Sequence, residues 1–356
     1  MQGKYTKIIF KLFKDKNYTY LLKQALKFLK LKFSPVVKKR LTSPLIATLI
    51  TTYHCNSQCL KCIKQGLKKD EPELKTKDFK ALIDDLKNLK VSGISFTGGE
   101  PLLRTDIIEL FEYAVSKKLF VHLSTNGYLL DAETSERILK TGLDSINISL
   151  DSADSAKMAQ VTGVNDSLSL VCQGIANIVA ARKKLQVKVE LGVVTILNFK
   201  SFEEFEAVVT LAKKLGVDGL ALNLYHVFPQ TLEKAKENIS QGVILDKIIK
   251  YQKRDKFIEN SSAYLKLSRK FFKGEPLPFC CKAGYNFMVI DPYGQVFPCF
   301  VWQELGNNTL SLKGRKISEV IFSPEYEALT KQALSCRSCY WHSYQENNLL
   351  FRAFLR

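Results

Sequence analysis

Between residues 46 and 230, short apolar runs alternate with amphipathic stretches of helical period. This alternation limits the fold more than any other feature of the chain. The apolar runs fall at 45–52, 93–97, 120–124, 145–150, 188–195 and 219–224. Helical patterns lie between them at 77–89, 106–117, 131–141, 168–184 and 202–215. In the first, Phe79, Leu82, Ile83, Leu86 and Leu89 recur at helical spacing. Thr141-Gly142 and Leu215-Gly216 place glycine where a helix ends in the left-handed region. Six such units predict an α/β fold: a partial (β/α)6 barrel of TIM type, with its active site at the strand C-termini.

Around this core we expect four further regions. Residues 1–45 read as a basic amphipathic helical extension, 231–275 as a helical linker, 276–345 as a Cys-, Gly-, Pro- and aromatic-rich unit, and 346–356 as a tail. A chain of 356 residues, 46% hydrophobic, can bury one large core and a smaller second one.

Chemistry-bearing residues cluster where strands end. Cys55, Cys59 and Cys62 form C-x3-C-x2-C just after the first strand. Thr97-Gly98-Gly99-Glu100-Pro101 follows the second, Ser124-Thr125-Asn126-Gly127 the third, and Ser149-Leu150-Asp151 closes the fourth. Three thiolates in one loop can hold three irons of a cubane and leave the fourth open. The alternative is a zinc site, which asks for four N or S ligands. His54 is the fourth candidate, placed awkwardly beside Cys55. Gly98 and Gly99 let backbone approach closely, and Glu100 offers a carboxylate to an amine.

Four more thiols, Cys281, Cys299, Cys336 and Cys339, lie in the C-terminal unit. They suit one fully ligated four-iron cluster or a four-cysteine zinc ribbon. Cys280 competes with Cys281, which we favour because it opens Cys-x-Ala-Gly. Cys172 falls on the apolar face of a helical stretch and reads as core.

Together these motifs make the chain resemble the radical S-adenosylmethionine (radical SAM) superfamily. Cys55, Cys59 and Cys62 match its cluster motif, and Gly98, Gly99 and Glu100 its methionine-amine motif. Ser124, Asn126, Ser149 and Asp151 match strand-end positions near the cofactor. The likeness covers about residues 45–230. It implies S-adenosylmethionine bound at an open iron, reductive cleavage to a 5′-deoxyadenosyl radical, and hydrogen abstraction from a substrate. The C-terminal unit resembles the twitch domain, a shortened SPASM domain, which implies a second [4Fe–4S] cluster on Cys281, Cys299, Cys336 and Cys339 and a role for it in electron transfer. The chain departs from the family at Lys61, where an aromatic is usual, and at Val161-Thr162-Gly163, where many relatives carry Arg-Gly.

The formal charge of +18 comes from 53 basic and 35 acidic residues. Residues 1–45 hold twelve basic residues and one acid, Asp15, so that segment carries about +11. A basic block at one end suits an anionic surface better than nucleic acid. Tyr18, Leu21, Leu22, Ala25, Leu29 and Phe33 form an apolar stripe there. It is expected to pack on the barrel, to meet an anionic membrane through residues 1–40, or to dock on a protein or RNA partner.

No signal sequence or membrane span is evident, so the expected location is cytoplasmic, with peripheral contact at the inner membrane face. The substrate is expected to be a peptide or a lipid-linked molecule. An external electron donor of flavodoxin or ferredoxin type is expected. The rival readings are an RNA-modifying radical enzyme and a non-catalytic metal-binding scaffold. Asn147, Glu190, Asn223, Tyr225 and His226 are candidates to face the barrel interior, His226 in a structural role.

Overall fold

The structure is a computed structural model of the whole chain. It describes residues 26, 27, 29–31, 33, 34, 36, 37, 40–60, 62, 67, 70–226, 239–303 and 305–353. Most of the basic extension, Lys61, residues 227–230 at the end of the expected barrel and residues 231–238 of the expected linker lie outside these.

The chain runs β1 (Ile46–Ile50), α1 (Thr76–Asn88), β2 (Gly93–Thr97), α2 (Ile107–Ser116), β3 (Phe120–Thr125), α3 (Ala132–Lys140) and β4 (Ser145–Ser149). It continues α4 (Ser155–Thr162), α5 (Ser167–Leu185), β5 (Glu190–Leu197), α6 (Phe202–Lys214), β6 (Gly219–Leu224), α7 (Ile239–Arg254) and α8 (Ser262–Phe272). The C-terminal part holds β7 (Phe287–Ile290), β8 (Gln295–Phe297), β9 (Leu310–Ser311), α9 (Ile317–Ile321), α10 (Pro324–Ser335) and α11 (His342–Ala353).

The nine strands among the described residues form one sheet, ordered β6-β5-β4-β3-β2-β1-β7-β8-β9. The six strands from β1 to β6 pair in parallel, as the expected partial barrel requires. β7 adds in parallel to the other side of β1, Ile46 opposite Phe287, and then turns back into an antiparallel β8 and β9. The C-terminal strands therefore continue the barrel sheet.

Period-two alternation sorts the strands into two faces. Leu49, Ile94, Phe96, Val121, Leu123, Ile146, Ile148, Leu191 and Leu220 are at most 2% exposed and pack into the main core. Thr48, Ser95, His122, Asn147 and Asn223 face the other way and line an internal cavity. Gly142 and Gly216 follow helices at φ of 78° and 81°, the expected left-handed caps.

Two expectations change. Cys172 is only half-buried, because α5 turns Val171, Gly174, Ile175 and Ile178 to the core instead. In the extension, Leu29 and Phe33 are 47% and 50% exposed, whereas Leu31 is fully buried against Leu45 and Phe120. Lys27 is 5% exposed and its ammonium donates to the carbonyl of Lys90. Among the described residues of the extension, Lys27 and Leu31 meet the barrel, whereas Leu29 and Phe33 do not; Tyr18, Leu21, Leu22 and Ala25 of the expected stripe lie outside the described residues. Among the described residues no helix is long and apolar enough to cross a membrane.

Candidate functional site

Beyond β1 the chain turns into the first thiol loop. Cys55 and Cys62 are exposed and Cys59 is partly buried. Burial first, then the neighbouring Cys62, Asp151 and Cys55, push the Cys59 thiol up to about 12. Cys55 and Cys62 therefore both lie in electrostatic reach of Cys59. The N–H of Cys62 donates to the Cys59 carbonyl at 3.0 Å. Gln58 and Leu60 donate to the carbonyls of Thr162 and Val161, so the end of α4 props the loop.

The Gly98-Gly99-Glu100 turn locks against the same loop. The N–H of Gly99 donates to Thr52 O at 2.7 Å, and that of Glu100 to His54 O at 2.8 Å. A Cβ on Gly99 would lie 2.1 Å from His54 O, and one on Gly98 2.7 Å from Thr52 O. Backbone contact with the cysteine loop is what demands glycine here. Glu100 is fully buried. Its Oε1 accepts from the Leu102 N–H at 3.0 Å and the Thr125 hydroxyl at 2.7 Å, and its Oε2 from the Asn126 N–H at 2.8 Å. The carboxylate expected to face an amine thus ties the turn to the end of β3.

Asn126 reaches on to the thiol loop, donating from Nδ2 to Asn56 Oδ1 at 2.6 Å. Asp151 accepts from the Ile196 N–H at 2.8 Å. Ser149 and Asp151 line a small cavity at the barrel mouth with Tyr225, His226 and Trp341. Ser124 turns inward and pairs with Nε2 of His122 at 3.1 Å, while Nδ1 of His122 meets Ser145 Oγ at 2.8 Å. Tyr128 was not singled out in the sequence. Burial raises its phenol, which lies beside Thr162 and in electrostatic reach of Cys59.

The second thiol set comes together from four segments. Cys281 precedes β7, Cys299 follows β8, Cys336 caps α10 and Cys339 lies just before α11. Cys281, Cys299 and Cys339 are buried. Burial raises all three thiols, Cys281 to about 12, and each of the three is raised further by others in the set. Cys280 is exposed and turns instead to Arg337, whose Nη2 is 3.6 Å from its sulfur.

The barrel lumen holds a cavity of about 350 Å³. Its polar lining includes Thr48, Ser95, His122, Asn147, Glu190, Asn223 and Glu259, and α11 covers one side with His342, Tyr344 and Asn347. Tyr344 stacks on Phe287 at 4.2 Å and 10° and accepts a 2.7 Å hydrogen bond from the Phe300 N–H. Burial raises its phenol first, and Cys299, Cys339 and Cys281 add to the shift. It stands between the lumen and the second thiol set.

Residues 49–241 match the model of the Radical SAM superfamily, over half of the chain. This chain belongs to the radical SAM superfamily. Residues 280–340 match SPASM, an iron-sulfur cluster-binding domain. Mycofactocin maturase MftC of Mycobacterium tuberculosis is 32% identical over 179 residues, which cover 50% of this chain and 44% of that protein. An AdoMet-dependent heme synthase of Methanosarcina barkeri is 25% identical over 75% of this chain and 80% of its own length. Among solved structures, Streptococcus suis SuiB bound to precursor peptide SuiA superposes with a TM-score of 0.65. It covers 88% of this chain and 72% of SuiB at 16% identity, a likeness of fold.

Radical SAM membership brings S-adenosylmethionine and a four-iron cluster, and SPASM brings further iron–sulfur. The two thiol sets suit such groups. Among the described residues, no three His, Cys, Asp or Glu side chains converge on the point one metal ion needs. A cubane makes no such demand, since each thiolate takes a different iron. Three thiols, two of them exposed, suit a cluster open on one side. Four thiols, three of them buried, suit a closed one. Iron also draws protons from thiols that burial otherwise keeps protonated.

Proposed function

We propose that this radical SAM chain is an enzyme that takes a hydrogen atom from a peptide substrate held in its barrel lumen, leading to net oxidation or a new bond. The observation that carries this reading is the lumen's place between two thiol sets. Ser149 lines both the lumen and the mouth cavity, and Asp151 in that cavity lies in electrostatic reach of Cys59. Tyr344 separates the lumen from Cys281, Cys299 and Cys339 on the other side. The SuiB complex with its precursor peptide, of the same fold, supports a peptide.

When bound, the first cluster and S-adenosylmethionine supply the electron and the carbon-centred radical. The chain's own residues do the rest. Cys55, Cys59 and Cys62 hold the open cluster. The Gly98-Gly99 backbone and the Glu100 bridge set the floor beside it, with Ser124, Asn126, Ser149 and Asp151 around the cofactor. Cys281, Cys299, Cys336 and Cys339 hold a second cluster with no free iron, suited to moving an electron from substrate. The first electron comes from an external donor of flavodoxin or ferredoxin type.

The test is anaerobic reconstitution, an iron and sulfide count, and incubation with dithionite and S-adenosylmethionine. Roughly eight irons per chain and formation of 5′-deoxyadenosine are expected. Zinc in place of iron, or no 5′-deoxyadenosine, would sink the reading.

The basic extension supports one further placement, against an anionic membrane face. Leu26, Leu29, Val36 and Val37 are between 47% and 72% exposed in a segment of about +11. Co-sedimentation with phosphatidylglycerol vesicles, lost at high salt, is expected. Equal binding to neutral vesicles overturns it.

A further inference from the structure

The lumen carries a charge opposite to that of the chain. There are 53 lysines and arginines against 35 acids overall. Yet among the described residues lining the cavity there are two glutamates, Glu190 and Glu259, and no lysine or arginine.

A specific device brings Glu259 inside. Residues 257–260 run beside β6: the Leu220 N–H donates to Phe257 O and the Glu259 N–H to Leu220 O, each at 2.8 Å. Ile258 bridges to Leu220, which faces the helices, so Glu259 faces the lumen. Gly219 admits it, since a Cβ there would lie 2.6 Å from Glu259 Oε1. In the neighbouring strand, a Cβ on Gly192 would lie 2.9 Å from Asn147 Oδ1 and 3.6 Å from Glu259 Oε1. Glycine weakens a strand interior, and where it occurs something approaches closely. Here the approaching group is a carboxylate.

Two buried polar atoms point to a ligand. His342 and Asn347 are 3% and 5% exposed and line the cavity. Oδ1 of Asn347 has no hydrogen-bond partner, and Nε2 of His342 has only a long contact to Glu346 Oε1, at 3.6 Å. Buried groups of this kind are nearly always satisfied. Phe300, Trp341 and Tyr344 give the same cavity an aromatic wall.

We propose that the lumen binds an organic cation: an alkylammonium or guanidinium head beside Glu259 and Glu190, on an apolar stem that lies along Trp341 and Tyr344. Attraction between such charges is much stronger in a partly dehydrated cavity than in bulk water, and the aromatic wall takes the apolar stem out of water. A volume of about 350 Å³ suits one side chain of that length. The inference rests on the lumen being the substrate site proposed above.

The test is calorimetric titration of the reconstituted full chain with S-adenosylmethionine present. The probes are N-acetyl-lysine methylamide, N-acetyl-arginine methylamide, pentylamine and the neutral N-acetyl-norleucine methylamide. At least tenfold tighter binding of a cation than of the norleucine amide is expected. Glu259→Gln should remove most of that preference, its fold checked by iron content and melting temperature; Glu190→Gln serves if Glu259→Gln does not fold. Preference for the lysine amide over pentylamine marks a peptide side chain, and the reverse a free amine. Equal binding of charged and neutral probes, no binding at all, or an unchanged preference in the variants overturns the inference. Failure of the wild type to release 5′-deoxyadenosine bears on the radical reading alone, because the titration does not depend on cleavage.

Discussion

The backbone N–H of Tyr340 donates to Nε2 of His226 across 3.0 Å. His226 lies two residues beyond β6, and Tyr340 follows Cys339 of the second thiol set. Nδ1 of the same ring donates to Leu224 O at 2.8 Å, which leaves Nε2 as the acceptor. One neutral imidazole therefore joins the barrel mouth to the thiol loop.

Replacing that ring should loosen the loop. His226→Phe leaves a buried N–H unmatched, a cost of about 1–3 kcal/mol. We expect a lower melting temperature and iron lost from the second set before the first. Burial holds the His226 pKa near 4, down from 6.5. The unfolded chain therefore takes up a proton between those values that the fold refuses. The stabilisation is complete above pH 6.5 and declines as pH falls towards 4, by roughly 3 kcal/mol at the lower end. Melting curves of wild type and His226→Gln between pH 7.5 and 5 should converge as pH falls. A constant gap would contradict this.

Glu100→Gln keeps the shape of the side chain but turns one acceptor into a donor. At least one of the Leu102, Thr125 and Asn126 donors is then left facing another. We expect about 1–3 kcal/mol of lost stability and weaker S-adenosylmethionine binding, read by melting and equilibrium dialysis. Unaltered binding would show that the turn does not depend on the bridge.

Gly99→Ala tests the contact between turn and thiol loop directly. A methyl 2.1 Å from His54 O cannot be absorbed by a flexible side chain, because its neighbour is backbone. The cysteine loop has to move, and we expect the iron of the first set to be lost while the second keeps about four atoms. Iron counting with absorption spectroscopy separates the two.

The paired cysteines at 280 and 281 should behave in opposite ways. Cys281 is buried within the thiol set and Cys280 turns out to Arg337. Cys281→Ala should halve the iron content, and Cys280→Ala should leave it unchanged. The reverse pattern would place the wrong sulfur in the set.

Tyr344 offers a graded test. Tyr344→Phe keeps the stack on Phe287 and removes the acceptor for the Phe300 N–H. Tyr344→Leu removes the ring as well. Hydrogen bonding and solvent exposure set cluster potentials, so we expect a shift on the order of tens of millivolts in the second cluster by spectroscopic redox titration, larger for Leu. No shift in either variant would detach Tyr344 from that cluster.

How much of this was readable beforehand follows the range of the forces involved. Strands 93–97 and 219–224 coincide with β2 and β6, because apolar residues and flanking glycines announce them locally. The run read at 188–195 became Glu190–Leu197, since the ladder begins where Ser145 meets Glu190, a fact of pairing rather than of hydropathy. The helix Ser155–Thr162 was missed: it has eight residues, and Asp154 and Gly163 hold its ends. Asn147, Glu190 and Asn223, candidates to face the interior because they are polar residues in apolar runs, do line the lumen. Glu259 was not legible in this way, because it enters the lumen through a contact with Gly219 forty residues away. The burial of Lys27 and Leu31 likewise depends on residues far along the chain.

β1 has β2 on one side and β7 on the other, in register over residues 46–49. An iron–sulfur unit joined this way is not a cassette that descent could exchange freely. Any replacement has to bring an edge that fits Ile46–Leu49, or the barrel is left with a bare strand ready to pair with another molecule. Recombination between relatives of this kind is expected to break at loops outside that seam, so that barrel and C-terminal strands are inherited together.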